Sequence, residues 1–372
     1  LRLRQDTLTS DRDDRGVALH LGYSDEHRQF ADGLDRFLAK GHAFERRRAL
    51  LRDGVASDPA LWAQLAELGC LALSLPEALG GLDAEPVLLG LMARALGRHL
   101  VVEPVLPAVL AGLWLGAAES AQGHAERLAR GEGRYAVAAG LVVTSAGISG
   151  RALGVPGASS ADFLLVPDET GLHVVAAARV ARTPVAMLDD SIAADIVAED
   201  APSERLAPGA GWAMAGVRAA QAEALFRAWQ ALGCLEAAAD ATAAYMRDRV
   251  QFGRPLAAFQ VVQHRVAEMV VAARDAEVAA LLGALGLAGA SPDVARALAV
   301  MTARVAAAAG LVADSAVQLH GGMGVSDELD IAARFRLLQA FRLAVGDDPV
   351  RRYAEDVVAK GGHLRSAVLA EI

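Results

Sequence analysis

Three segments of this 372-residue chain combine residue types that can grip a small anionic molecule. The first, Arg249 to Pro255, reads Arg-Val-Gln-Phe-Gly-Arg-Pro, with Phe252 and Gly253 at its centre. An arginine there offers a planar fork of donors that matches a diphosphate. It equally suits a helix C-terminus, where the dipole favours a cation. The second segment runs from Phe259 through Gln260 and Gln263 to His264. Gln260 can hydrogen-bond a cofactor or stand as an ordinary polar residue. In the third, Gln318 and His320 precede Gly321, Gly322 and Gly324. Paired glycines let backbone N–H groups approach a phosphate closely, or simply cap a helix. Other chemistries drop out. No HExxH or CxxC pattern occurs, so no metal site is expected, and no GxSxG elbow occurs. Gly131-Glu132-Gly133 follows a helical pattern and precedes a strand pattern, the reverse of a dinucleotide-binding turn.

Taken in order, these segments resemble the acyl-CoA dehydrogenase family: RxQFGxPLxxFQxxQHxxAxM over 249–269, then QLHGGMG over 318–324. The likeness extends to Ser24-Asp25-Glu26, Pro76-Glu77 and Gly80-Gly81, and covers about residues 22–360. It implies FAD at a subunit boundary. Arg249 and Gln260 would hold the ADP part, and Phe252, Gln318, His320, Gly321 and Gly322 would touch the same cofactor. Asp347 and Asp348 match positions that meet the flavin or its phosphates. The implied reaction is α,β-dehydrogenation of an acyl-CoA thioester, with an electron-transferring flavoprotein as reoxidant.

That reaction needs a carboxylate against a weakly acidic α-proton in a dry pocket. By the resemblance, the usual position is Val345, which takes no proton. The alternative family position is Glu223, on the long helix before Arg249, with Ala224 where an arginine often stands. A solvent-facing helical residue is the other reading of Glu223. The central region also lacks a family stretch after Val137-Ala-Ala-Gly140. The chain thus resembles subunits of bacterial hetero-oligomers that degrade steroid side chains. Two expectations follow: a dehydrogenase using Glu223, or a non-catalytic subunit completing the FAD site of a paralogue. A redox-inactive acyl-CoA-binding protein is a third.

Elements must position these residues. Apolar residues make up 54% of the chain, and Ala, Leu, Arg and Val dominate, a composition that favours helix. Residues 1–22 read as a leader and 23–130 as a helical domain, with Ser24 as N-cap and helices near 85–99 and 105–130. Residues 131–209 read as a small β domain with strands near 135–143, 162–167, 172–180 and 192–198. Residues 210–372 read as a four-helix bundle, with helices near 213–250, 257–288, 291–321 and 327–360. The fold class is mainly α with a β insert. A net charge of −9 argues against nucleic-acid binding, and Arg46-Arg47-Arg48 with Arg52 reads as a solvated helix face. Two cysteines exclude a disulfide framework and suit a reducing cytoplasm. The longest nearly apolar run, 278–290, is too short to span a bilayer. A homo-oligomer or a heterotetramer with a paralogue is expected.

Overall fold

The computed structural model describes residues 22–41, 44–54, 57–346 and 348–359, so the leader and Asp347 fall outside the described residues. Among the described residues six helices come first: α1 (Asp25–Gly41), α2 (Phe44–Arg52), α3 (Pro59–Glu67), α4 (Pro86–Arg98), α5 (Val105–Gly116) and α6 (Gln122–Ala129). Ser24 does cap α1, its Oγ accepting the His27 N–H at 3.1 Å. The expected helix over 105–130 is two helices. A turn through Ser120, with φ 59, separates them.

Eight strands follow: β1 (Tyr135–Val137), β2 (Leu141–Val143), β3 (Ile148–Val155), β4 (Phe163–Asp168), β5 (Gly171–Ala176), β6 (Ala181–Ala186), β7 (Ile192–Ala201) and β8 (Glu204–Leu206). They form two four-stranded sheets, ordered β1-β4-β5-β8 and β2-β3-β7-β6; β1 and β4 pair in parallel and all other neighbours antiparallel. Sequence pattern missed β3, β6 and the three-residue β8. Strand β3 carries Gly150, Arg151 and Gly154 and shifts register twice against β7. Strand β6 is an exposed edge holding Pro184, a position a central strand would not tolerate. In β4, Leu164 and Val166 join the core between the sheets, while Leu165 joins the helical core. Period-two alternation therefore docks one sheet on both partners.

The bundle comprises α7 (Trp212–Asp248), α8 (Gln260–Leu285), α9 (Val294–His320) and α10 (Ile331–Val345), with a short hairpin of β9 (Val250–Gln251) and β10 (Arg254–Pro255) between α7 and α8. The fourth expected helix breaks at Gly346, φ 74, and resumes as α11 (Pro349–Ala359). Helix α9 is long and apolar enough to cross a membrane by length and composition. Its apolar face, including Met301, Val305 and Val312, is buried in the bundle core. Helices α4 and α7 touch backbone to backbone. A Cβ on Gly97 would lie 1.9 Å from the Gln230 carbonyl oxygen, and one on Gly233 would lie 1.9 Å from that of Arg94. Only glycine permits that approach. Beside it Arg94 donates to both carboxylate oxygens of Glu236, at 2.7 and 2.8 Å, and joins the N-terminal helices to the bundle.

Candidate functional site

The antiparallel bundle sends the end of α7, the start of α8 and the end of α9 to one pole. That pole collects the three segments singled out in the sequence. Helix α7 stops where Arg249 turns extended (φ −77, ψ 115), its N–H still donating to the Tyr245 carbonyl at 2.9 Å. The chain then makes the tight β9–β10 turn, with Phe252 at φ 53 and 88% exposed. Leu256 N–H donates back to the Arg249 carbonyl at 2.8 Å, and Arg254 lies over the Phe259 ring at 4.1 Å. These contacts fix the hairpin and leave the Arg249 guanidinium without a hydrogen-bond or ion-pair partner among the described residues. Gln260 and Gln318 are exposed. At Gly321 and Gly322 an added Cβ would meet nothing within 4 Å. A guanidinium without an intramolecular partner among the described residues and two exposed amides are donors of the kind a diphosphate takes. The Gly321 N–H already donates to the Gln318 and Val317 carbonyls, so the uncrowded glycine turn contributes room for close approach.

His320 lies otherwise. It is buried, its Nδ1–H donates to the Ala316 carbonyl at 2.8 Å, and its ring stacks on Tyr245 at 4.3 Å and 19°. Burial pushes its pKa down, which keeps the ring neutral at pH 7. Asp348 serves as cap for α11, accepting the Arg351 N–H at 2.8 Å.

Glu223 is not at this pole. It precedes the end of α7 by 25 residues, roughly 37 Å along a helix. Its carboxylate pairs with Arg227 one turn on, at 2.8 Å, and its side chain is 41% exposed. Val345 is buried at the end of α10. No carboxylate therefore stands at position 345.

Near Glu223, Phe226, Arg227 and Gln230 line a cleft between α4–α5, the β module and the bundle. The cleft is narrow, with a cavity of about 120 Å³. Small-molecule pockets run from roughly 300 to 1,000 Å³. Two features close it. Gly157 (φ 75) brings the β3–β4 loop so near the helices that a Cβ there would be 2.8 Å from Pro107 Cγ. The second feature corrects the sequence reading of the arginine cluster. Arg47 is only 2% exposed. Its Nε donates to the Leu100 carbonyl at 3.0 Å, and its Nη2 to Asp190 at 2.7 Å. Arg336 on α10 donates to both oxygens of the same carboxylate, at 3.0 and 2.8 Å. Burial opposes the charge on Asp190, but hydrogen bonds from Arg336 and Arg47 outweigh it and hold the carboxyl below the usual range. One carboxylate on the β6–β7 turn thus clamps helix α2 and helix α10. Its partners lie 143 and 146 positions away, so no local pattern in the sequence announces it.

The pole and the helix–sheet–helix frame describe a class: a helical protein with a β module between two helical modules and an exposed cluster of polar residues and glycines at a bundle end. The family models agree. That for the acyl-CoA dehydrogenase N-terminal domain matches residues 24–140, and that for the C-terminal domain matches 209–356. The chain belongs to the acyl-CoA dehydrogenase family. It is 30% identical over 317 residues to the acyl-CoA dehydrogenase IpdE2 of Mycobacterium tuberculosis, covering 84% of this chain and 90% of that protein. Its fold is similar to the crystal structure of the ChsE4-ChsE5 complex from Mycobacterium tuberculosis (TM-score 0.81, 25% identity, 91% of this chain and 98% of that one). It is also similar to the Tcur3481-Tcur3483 steroid ACAD (TM-score 0.78, 25% identity, 90% and 98%).

Proposed function

We propose that this chain is a subunit of a hetero-oligomeric acyl-CoA dehydrogenase, completing the FAD site of a catalytic paralogue and supplying no base itself. The observation that carries this reading is the contrast between the two sites. The Arg249 guanidinium is unpartnered among the described residues and Gln260 and Gln318 are exposed, while the chain's own cleft is clamped around a cavity of about 120 Å³, and position 345, where the resemblance puts the base, is a buried valine. In that role Arg249 pairs with the diphosphate, Gln260 and Gln318 bond the nucleotide part, and the Gly321–Gly322 backbone lies against it. FAD supplies the hydride acceptor for the substrate's β-hydrogen. The resemblance to two structures named as pairs of unlike chains supports an unlike partner. One of them is named a steroid ACAD, which makes a steroid-derived acyl-CoA the first substrate class to test. An electron-transferring flavoprotein would reoxidise the assembly.

The bundle also supports association. Val271, Val278 and Leu282 form one exposed stripe on α8, an arrangement that marks a contact surface. Light scattering at micromolar concentration should show an assembly larger than a monomer. The purified lone chain should carry little flavin by absorbance, and the chain copurified with its paralogue should carry it stoichiometrically. A monomer, or stoichiometric flavin on the lone chain, contradicts the proposal.

One observation favours a self-sufficient enzyme: Glu223 lies one turn from Phe226 and Arg227, which line the cleft. Glu223→Gln is nearly isosteric and lies outside the cradle. We expect anaerobic flavin reduction by acyl-CoA in the assembly to change by less than about twofold. A fall of roughly a hundredfold would instead assign the base to Glu223.

A further inference from the structure

The cradle has two halves on different helices, and nothing in the sequence motifs sets the distance between them. Arg249 sits one turn after Tyr245 at the end of α7; the Gly321–Gly322 turn directly follows His320 at the end of α9. The two rings stack at 4.3 Å and 19°, nearly parallel. His320 is fixed from its own helix by the 2.8 Å bond to the Ala316 carbonyl. From the other side the glycine turn folds back on it. A Cβ on Gly324 would lie 3.1 Å from His320 Cβ and 2.8 Å from the Val317 carbonyl oxygen. The His320 ring is therefore held between the Tyr245 ring and its own helix end, and the glycine turn closes against it. Neither ring has the exposed, outward-facing placement of Arg249, Gln260 and Gln318.

We infer that Tyr245 and His320 are a positioning pair, a strut that sets the span between the Arg249 guanidinium and the Gly321–Gly322 backbone. This rests on the cradle reading above. It reassigns His320 from a direct cofactor contact to a group acting through its neighbours. The physical reason for a strut is preorganisation. A diphosphate gripped from two helices is held well only when both grips stand at the right separation before it arrives, and a misplacement of about 1 Å costs much of the advantage. Paired aromatic rings supply such a spacer, because they pack at a fixed distance and resist tilting.

The test uses the flavin-bearing assembly that copurifies with the tagged chain, and reads FAD affinity by flavin fluorescence on dilution. Arg249→Ala tests the cradle; Tyr245→Phe, Tyr245→Leu and His320→Phe test the strut. The Phe variants keep a ring at each position and should retain FAD within about twofold, while Tyr245→Leu should weaken it about tenfold, as expected for displaced rather than deleted donors. Helical circular dichroism and light scattering, taken on each variant, should match wild type. FAD affinity unchanged in Tyr245→Leu, with Arg249→Ala weakened, overturns the strut and leaves the cradle standing. Affinity lost equally in Tyr245→Phe and Tyr245→Leu also overturns it, because the hydroxyl and not the stack would then matter. Affinity unmoved by Arg249→Ala removes the cradle, and the strut with it. If Tyr245→Leu loses fold or assembly, the decision passes to His320→Phe: retention there supports the stack, and loss with intact fold refutes it.

Discussion

Arg249→Ala should weaken FAD binding by the assembled protein by about ten- to a hundredfold. The magnitude follows from losing one charge-assisted contact, worth about 1.5–3 kcal/mol, at about 1.4 kcal/mol per tenfold in Kd. No rearrangement within the chain should soften the loss. The guanidinium has no intramolecular partner among the described residues, so its removal leaves nothing unpaired here and changes only what binds from outside. For the same reason the thermal stability of the lone chain should not move. Arg249→Lys should fall between, since lysine keeps the charge and loses the planar fork. Raising salt should narrow the difference between wild type and Arg249→Ala, because an exposed charge is screened. Equal FAD affinities for wild type and Arg249→Ala at low salt would remove the cradle from the account of this protein.

The second large effect is expected in stability. Asp190→Ala should destabilise the fold by about 3 kcal/mol, the lower end for breaking a buried ion pair by removing one partner. The lower end applies because the Asp190 side chain keeps 19% exposure and Arg336 can turn to solvent. Arg47 cannot, being buried, and its uncompensated guanidinium is the physical origin of the cost. The pH dependence has a definite sign. The folded-state pKa of Asp190 is depressed, so the native state favours the carboxylate more than the unfolded chain does. Its contribution is therefore fully present above the unfolded value of about 3.9. It is lost as pH falls through the lower folded value. Urea midpoints at pH 7 should separate wild type from Asp190→Ala clearly, and the gap should shrink below pH 4. A gap that persists undiminished in acid would show that the clamp's charge is not what holds the modules together.

The segments proposed to form the cradle stood out in the sequence because each is local. Arg249, Phe252 and Gln260 fall within 12 positions of one another, at a helix end, a tight turn and a helix start, and each of those has its own residue signals. The helical modules were legible for a similar reason, since apolar spacing reports a helix wherever one face is buried. Breaks were less visible. The expected helices over 105–130 and 327–360 each proved to be two, because Ser120 and Gly346 adopt positive φ that helical spacing of their neighbours does not disclose. Strands β3, β6 and β8 were missed because β3 is interrupted by two glycines and an arginine, β6 is an exposed edge and β8 has only three residues, so none shows buried alternation.

By itself, then, the sequence determined the family and the mixed helix–strand–helix order and singled out the residues proposed for the cradle, all of which rest on short-range patterns. Tertiary structure alone decided three things: that Arg47 is a buried member of a clamp and not part of a solvated face, that the chain's own cleft is nearly closed, and that His320 stacks inward on Tyr245. Each depends on side chains brought together from distant positions. Asp190 reaches Arg47 across 143 residues and Arg336 across 146, and His320 meets Tyr245 only because α7 and α9 end at the same pole. A charge or an aromatic ring reads the same in a sequence whether it faces water or a partner; only the packing that excludes water from Arg47 and His320 tells the two apart.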